Sequence, residues 1–258
     1  MTKRYGYLPE DAGAPLWVKM PKGQNIAGFG IGILHLDDVW YPFLPGNVVN
    51  ACTYPFPVRY KAVKGLDTPT LHSGAPEVFP AILAAAKELE REGVRAISGA
   101  CGFFGHFQRQ LADAMDIPVA ISSLVQIPWI RTLLKSDQKI GILCANAAAL
   151  SDGLLRSCGV DRRDDLVVAD LRHGKAFSAI LEDRGEMDCA AAGEEVVSAA
   201  RKLVEENPDI GAILLECSDM PPYAAAVQAA VGLPVFDFIT LIRYLHSSVA
   251  QKPYSGWI

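Results

Sequence analysis

Two cysteines, Cys101 and Cys217, occupy equivalent places in two copies of one sequence pattern. Each ends an apolar run and precedes a helix-like segment, and a proline follows 17 residues later, Pro118 in the first copy and Pro234 in the second. A thiol between a strand and a helix lies near unpaired backbone N–H groups and the positive end of the helix dipole. This placement predicts thiols with a lowered pKa and reactive thiolates.

Facing lobes would bring the two sulfurs to one cleft from opposite sides. A thiolate on one side can then remove a proton from a carbon atom, and a thiol on the other side can return one to the opposite face. The helix starts beside them can hold a substrate carboxylate. None of the six cysteines makes the Cys-x-x-Cys spacing of a zinc or redox site, so no metal is expected.

The elements that must position these cysteines are also duplicated. The run GIGIL at 30–34 is echoed by KIGIL at 139–143, upstream of the cysteines in each copy. Three matches in the same order indicate two related α/β lobes. Strands that alternate with helices predict two pseudo-symmetric lobes, each a parallel sheet of about four strands flanked by helices, with the active site in the cleft between them.

The repeat and the turn signals set the predicted boundaries. We expect an N-terminal arm at 1–25, a first lobe at 26–135 completed by a C-terminal helix at 238–258, and a second lobe at 136–237. Hydrophobic patterns predict strands and helices throughout both lobes. The strands are expected at 28–35, 56–63, 94–100, 117–121, 139–144, 166–171, 210–216 and 233–236, and the main helices at 76–92, 104–115, 147–158, 190–206, 221–231 and 239–250. The long aromatic connection at 37–55 is expected to cover the site.

Composition excludes several classes of function. The 258 residues are 50% hydrophobic and 21% charged with a net charge of −5, which is typical of a globular protein and gives no basic surface for nucleic acid or membranes. The first residues lack the apolar core of a signal peptide, so a cytoplasmic protein with reduced cysteines is expected. The glycine-spaced run at 28–32 lacks the helix start of a dinucleotide turn.

These motifs resemble the aspartate/glutamate/hydantoin racemase superfamily. The resemblance rests on GACGFF at 99–104, LLECSDMPPY at 214–223 and the duplicated layout, and it covers about 28–244. It implies a two-lobed, cofactor-independent isomerase in which Cys101 and Cys217 are the acid and base of racemisation or epimerisation beside a carboxylate or carbonyl. The substrate-binding candidates that it implies are Gly102, Phe103, Ser218, Asp219, Asn146 and Ser122.

The chain also departs from the amino-acid racemases of that superfamily. Those enzymes usually have Asn-Thr after the first cysteine and often Thr-His after the second, whereas this chain has Gly-Phe and Ser-Asp. A bulkier, less polar pocket is implied, which disfavours free glutamate and leaves a small carboxylate or cyclic amide as the expected substrate. A decarboxylase or cis–trans isomerase of the same superfamily, or a non-enzymatic binding protein, stays as an alternative. A homodimer would be unsurprising.

Several residues also have a purely structural interpretation. Both central cysteines could simply pack, as Cys52, Cys158 and Cys189 are expected to do. Asp219 either caps the helix after it or contacts ligand, and Glu216 is either structural or acts indirectly. Cys144 and His35 end the first strands of the two lobes, so ligand contact is an open alternative for both. The remaining histidines are interpreted as ordinary: His72, His106, His173 and His246.

Overall fold

Two four-stranded parallel sheets form the framework of the protein, in a computed structural model that describes residues 22–251. The strands are β1 (Ile31–Leu36), β2 (Val58–Val63), β3 (Ala96–Gly99), β4 (Val119–Ala120), β5 (Lys139–Cys144), β6 (Leu166–Asp170), β7 (Ile210–Leu215) and β8 (Val235–Phe236). The first sheet has the order β2-β1-β3-β4 and the second β6-β5-β7-β8. Each half therefore arranges its strands in the same way, which confirms the predicted α/β fold of two related lobes.

Helices cover the faces of both sheets. Those in the described residues are α1 (Thr68–Ser73), α2 (Phe79–Glu92), α3 (Gln108–Ala114), α4 (Ile127–Leu133), α5 (Asp152–Ser157), α6 (Ser178–Leu181), α7 (Cys189–Glu206), α8 (Ala224–Val231) and α9 (Phe238–Val249). Short 3-10 turns precede several of them, and two matter for the site: Gly102–Phe107 and Pro221–Tyr223. None of the helices in residues 22–251 is long and apolar enough to cross a lipid bilayer.

The long helices follow from their sequence patterns. In α2 the residues Ile82, Ala86 and Leu89 recur at helical spacing and are buried, and Gly93 ends the helix in the left-handed region with φ 96°. In α7 the side chain of Asp188 accepts hydrogen bonds from the first backbone N–H groups. Because burial of one apolar stripe fixes each helix against its sheet, both helices lie where the sequence predicts them.

The structure differs from the predicted elements at the short helices α1 and α6 and in the segment after Cys101. Helices α1 and α6 were not predicted, because segments of six and four residues are too short to show a helical period. The helix predicted at 104–115 begins only at Gln108, since the buried 3-10 turn Gly102–Phe107 comes first.

The C-terminal helix α9 packs on the first sheet. Asp237 and Thr240 form a capping box at its start, and its buried residues Phe238 and Ile242 lie in one apolar cluster with Ile31 and Ile33 of β1. The chain thus returns to the first lobe after completing the second. The predicted lobe boundaries stay predictions, and residues 1–21 of the predicted arm and 252–258 of the predicted helix lie outside the described residues.

Hydrogen bonds join the two lobes beside the ends of β3 and β7. The Ser218 hydroxyl donates to the Ala100 carbonyl at 3.0 Å, and the Ser123 hydroxyl donates to the Glu216 carbonyl at 2.9 Å. The largest buried apolar cluster also contains residues of both sheets, including Leu34 and Ile142. These contacts fix the carboxyl ends of the two sheets against each other, and that is where both cysteines lie.

Candidate active site

The two central cysteines follow the central strands β3 and β7 but precede only 3-10 turns. Cys101 has extended backbone and caps the turn Gly102–Phe107, while Cys217 lies four residues before the turn Pro221–Tyr223. A short 3-10 turn has a weaker dipole than the α-helix that the sequence predicts at each place. The expected helix-start environment is therefore largely missing.

Both cysteines line one cavity of about 30 Å³ between the lobes. Three aromatic side chains and two carboxyl groups line the same cavity: Trp40, Tyr41, Phe103, Glu216 and Asp219. No lysine or arginine is found among its lining residues within 22–251. The cavity is therefore acidic and aromatic, an environment suited to a cation.

The thiols have raised pKa values, so the predicted lowering is wrong. Burial raises the pKa of Cys101 well above its usual value, and the carboxyl of Glu216 raises it further. Burial also raises the pKa of Cys217, with Asp219 and Glu216 adding to the effect. The cause is that desolvation and nearby anions both disfavour a thiolate, while no cationic side chain lines the cavity among the described residues.

A histidine that the sequence interpretation treated as ordinary lies beside the first cysteine. His72 projects from α1, with Nε2 3.9 Å from Cys101 Sγ and its ring centroid 3.9 Å from that of Phe103. Burial lowers the pKa of His72 to about 4, with a smaller contribution from the nearby His106, so the ring is neutral at pH 7. No sequence signal identified it, because α1 itself was not predicted.

Two residues of the second lobe extend this contact. Asn146 Nδ2 lies 3.2 Å from His72 Nδ1, and the guanidinium of Arg172 donates to Asn146 Oδ1 at 3.2 Å. Asp170 in turn lies 3.6 Å from Arg172 and accepts its backbone N–H. A hydrogen-bonded chain therefore runs from β6 across the lobe boundary to Cys101.

Asp219 is the partner of the second cysteine. The Cys217 thiol lies 3.5 Å from Asp219 Oδ2, and Asn47 donates to Asp219 Oδ1 at 2.6 Å. Burial raises the pKa of this carboxyl to about 6, and the hydrogen bonds from Asn47, Cys217 and Ser218 oppose that rise. Asp219 thus carries a negative charge at neutral pH in a nearly dry position.

Glu216 is buried with one unpaired oxygen. Its Oε2 accepts from the Ala145 N–H at 3.2 Å and from the Cys144 thiol at 3.5 Å, while Oε1 has no hydrogen-bond partner among the described residues. Burial raises the pKa of the Glu216 carboxyl to about 7, and the charge of Asp219 contributes to the increase. This carboxyl can bind or release a proton near neutral pH.

Glu216 explains why glycine comes directly after the first cysteine. A Cβ at position 102 would overlap Glu216 Oε1 and lie 2.7 Å from the Glu216 backbone oxygen. We therefore expect Gly102→Ala to lower the free energy of unfolding by about 1–3 kcal/mol, the usual cost of overpacking a rigid interior. Denaturant unfolding measures this change.

The control for this substitution is Gly153→Ala in α5. A Cβ there meets nothing closer than Ser151 Oγ at 3.7 Å, so alanine should be neutral or stabilising in this helix. Equal unfolding free energies for the two variants would contradict the packing argument.

The raised pKa of Glu216 predicts how stability depends on pH. A carboxyl whose folded pKa is about 7 rather than the usual 4.5 stabilises the fold below about pH 4.5, and this contribution is lost as the pH rises through 7. Glu216→Gln should therefore be more stable than the wild type at pH 8 by about 3 kcal/mol, with the difference shrinking toward pH 4.

Unfolding curves of both proteins across this pH range test the prediction. Glu194→Gln is the control, because Glu194 is exposed on α7 and its replacement makes the same chemical change outside the buried site. A constant difference between wild type and Glu216→Gln at all pH values would argue against a raised carboxyl pKa.

Two segments from different lobes close the cavity. Val39 and Trp40 come from the long connection after β1, while Ile180 and Leu181 come from α6. The Trp40 backbone N–H donates to Asp183 Oδ1 at 2.5 Å and joins the two segments. The non-glycine residues with positive φ in the described chain are Asp38 at 51° and Asp183 at 54°, so both flank this closure. Trp40 belongs to the segment 37–55, and the expectation that this segment covers the site stays a prediction.

The other candidates from the sequence are distributed as follows. Phe103, Ser218 and Asp219 line the cavity with the two cysteines, whereas Gly102, Asn146 and Ser122 do not. Ser122 caps the turn Ser123–Gln126 instead, and its hydroxyl accepts the Leu124 N–H. Neither Cys144 nor His35 lines the cavity. The Cys144 thiol donates a hydrogen bond to Glu216, and His35 Nδ1 lies 2.8 Å from the Leu36 carbonyl oxygen. The substrate-binding roles predicted for Gly102, Phe103, Ser218, Asp219, Asn146 and Ser122 remain predictions.

A family model described as Asp/Glu/Hydantoin racemase matches residues 58–242. Among curated proteins, a dimethylsulfoniopropionate lyase from Durusdinium sp. clade D is 34% identical over 95% of this chain and 84% of its own length. Dimethylsulfoniopropionate lyase 3 from Emiliania huxleyi (strain CCMP1516) is 32% identical over 88% of this chain, which spans 61% of that relative.

Solved structures share the fold at low identity. Allantoin racemase from Klebsiella pneumoniae has a TM-score of 0.60 and 16% identity, covering 85% of this chain and 88% of the racemase. Unliganded arylmalonate decarboxylase has a TM-score of 0.55 and 16% identity, covering 87% of this chain and 93% of the decarboxylase. At this identity the likeness concerns architecture alone.

The prediction of an isomerase is wrong, because the similar curated proteins are named lyases. The physical reason is that racemisation and elimination can begin with the same event, removal of a proton beside a carboxylate. The two reactions differ in the next step, since a racemase returns a proton and a lyase expels a group. A pair of cysteines at strand ends does not distinguish these outcomes.

Proposed function

Since this chain belongs to the Asp/Glu/Hydantoin racemase family, we propose that it is a lyase that cleaves dimethylsulfoniopropionate or a closely related sulfonium carboxylate by β-elimination. The observation that carries the proposal is the acidic, aromatic cavity that holds both cysteines. The names of the similar lyases supply the substrate class.

The substrate has a sulfonium cation on C3 and a carboxylate on C1. A base removes a proton from C2, the C–H electron pair becomes the C2=C3 double bond, and the C3–S bond breaks with its electron pair leaving on sulfur. The products are dimethyl sulfide and acrylate, and the proton passes from the base to solvent. Because dimethyl sulfide leaves as a neutral molecule, the leaving group needs no general acid.

The cavity supplies the groups that a sulfonium requires. The faces of Trp40, Tyr41 and Phe103 can attract a cation, as aromatic cages do for quaternary ammonium groups. The buried carboxyls of Asp219 and Glu216 add negative charge at short range and in a low dielectric. The substrate carboxylate is repelled by these two groups and would point toward α1, where Thr68 lines the cavity.

Cys101 is the base in this proposal. Burial and nearby anions raise its pKa, but a bound sulfonium would place a positive charge beside those anions and so favour the thiolate. Substrate binding would therefore lower the thiol pKa at the moment when a base is needed. Cys217 is paired with Asp219 and also faces Glu216, so its thiol keeps its proton more firmly.

The closed cavity must expand to admit this substrate. A space of about 30 Å³ holds roughly two water molecules, whereas dimethylsulfoniopropionate has eight non-hydrogen atoms. The segments that carry Trp40 and Leu181 lie over the cavity and are the parts that must move. Closing them over the substrate would exclude water from the charged site.

The test is to incubate the purified protein with dimethylsulfoniopropionate and measure dimethyl sulfide by gas chromatography and acrylate by NMR. Equal amounts of both products and a primary isotope effect with substrate deuterated at C2 are expected. Saturable binding without product would overturn the proposal in favour of the non-enzymatic binding protein, and absence of both binding and product would also overturn it.

A further inference from the structure

We propose that Asn146 and Arg172 hold His72 in the tautomer whose proton is on Nε2, so that His72 donates a hydrogen bond to the Cys101 thiolate and does not act as its base. His72 is then a positioning residue that acts through Cys101. The proposal deepens the proposed function, since it concerns the residue assigned there as the base.

Arg172 sets the orientation of this network through its contact with Asn146. A guanidinium group only donates hydrogen bonds, so the Asn146 atom that it contacts at 3.2 Å must be the carbonyl oxygen Oδ1. This fixes the orientation of the amide and directs Nδ2 toward His72. The Asp170 carboxylate holds Arg172 in place, because it accepts the backbone N–H of Arg172 and forms an ion pair with the Arg172 guanidinium.

The amide orientation then determines the state of the imidazole. Asn146 Nδ2 also only donates, so His72 Nδ1, 3.2 Å away, must accept and carries no proton. Burial keeps the ring neutral, which leaves its single proton on Nε2. That atom faces Cys101 Sγ at 3.9 Å and can donate to sulfur but cannot take a proton from it.

A hydrogen bond from His72 Nε2–H stabilises the Cys101 thiolate in surroundings that otherwise favour the thiol. The titratable groups that face the sulfur from the packed elements are mostly acidic: Glu216, Asp219, Cys217 and Tyr41, with His72 from α1. A hydrogen bond to the thiolate therefore opposes several groups that favour the thiol. Because Asn146 and Arg172 belong to the second lobe, the donor is correctly oriented only when both lobes are in place.

The experiment measures the alkylation rate of Cys101 by iodoacetamide at pH 8, with mass spectrometry of its peptide. Below the thiol pKa this rate is proportional to the thiolate fraction, and it does not depend on lyase activity. The exposed Cys52 serves as an internal control in every digest. Circular dichroism establishes that each variant is folded.

Three variants separate a donor from a base. His72→Leu removes the hydrogen bond and should slow alkylation of Cys101 by about tenfold, while His72→Gln keeps an N–H donor and should remain within about twofold of the wild type. Asn146→Asp replaces the amide donor with a carboxylate acceptor, which favours the His72 tautomer that carries its proton on Nδ1. His72 Nε2 can then take the proton of the Cys101 thiol. Alkylation should then be about tenfold faster.

Two results would overturn the assignment. If His72→Gln is as slow as His72→Leu, His72 acts as a base. If Asn146→Asp leaves the rate unchanged or lowers it, the tautomer is not held by position 146, and this variant stays informative even if His72→Leu does not fold. A protein that shows the expected alkylation rates but releases no dimethyl sulfide contradicts the proposed function and leaves the tautomer assignment standing.

Discussion

Cys101→Ala is expected to lower kcat for dimethyl sulfide release by about a thousandfold. The reason is that a positioned base contributes roughly 10²–10⁴ in rate, and no other cavity group is proposed to contact the C2 proton. Cys217→Ala should cost less, about ten- to a hundredfold, because an elimination that expels a neutral sulfide needs one base and no opposing acid. Steady-state kinetics of both variants measure this asymmetry.

Cys52→Ala is the matched control for both variants. Cys52 is exposed on a 3-10 turn and does not line the cavity, so its loss should leave kcat unchanged. Equal and complete inactivation by Cys101→Ala and Cys217→Ala, with the fold retained, would contradict the single-base mechanism. Full activity of Cys101→Ala would remove Cys101 from the mechanism altogether.

Asp219→Asn is expected to raise KM for the sulfonium substrate by about a hundredfold. The amide has the same shape and can still accept from Asn47, but the buried negative charge opposite the cation is lost, a change worth about 3 kcal/mol. Because the pKa of Asp219 is about 6, the wild-type KM should also rise as the pH falls below about 6, and the variant should lack this dependence.

A neutral isostere isolates the contribution of charge. In 4-methylpentanoate a CH group replaces the sulfonium, so shape and carboxylate are kept while the positive charge is removed. Asp219→Asn should weaken inhibition by this compound much less than it weakens substrate binding, and Asp113→Asn in an exposed ion pair should change neither. An equal loss of affinity for both compounds would point to a packing role for Asp219.

Sequence periodicity was sufficient to predict the framework. The equal spacing from Cys101 to Pro118 and from Cys217 to Pro234 reflects β3-to-β4 and β7-to-β8 crossovers of the same length, and both cysteines lie where the parallel strands end. Such features are local or repeated, so they are visible along the chain. The duplicated lobes were predicted from them.

The environment of the site was harder to predict, because it depends on contacts between distant segments. His72 belongs to a six-residue helix with no apolar period, yet folding places it beside Cys101, which is 29 residues away. The predicted direction of the thiol pKa shift was wrong because folding buries both sulfurs and brings two carboxyls close to them. The reaction class was wrong because a proton-abstracting pair serves more than one outcome.

The hydrogen bond from Trp40 to Asp183 has a consequence for how reactants come and go. It joins outer segments of the two lobes. Two buried hydrogen bonds also join the lobes, from Ser218 to the Ala100 carbonyl and from Ser123 to the Glu216 carbonyl. Separating the two lobes would break the inner hydrogen bonds as well, whereas moving only the segment that carries Trp40 away from Asp183 breaks the outer one. In the proposed reaction, the outer segments can therefore move aside for substrate and products while the inner hydrogen bonds keep Cys101 and Cys217 in position.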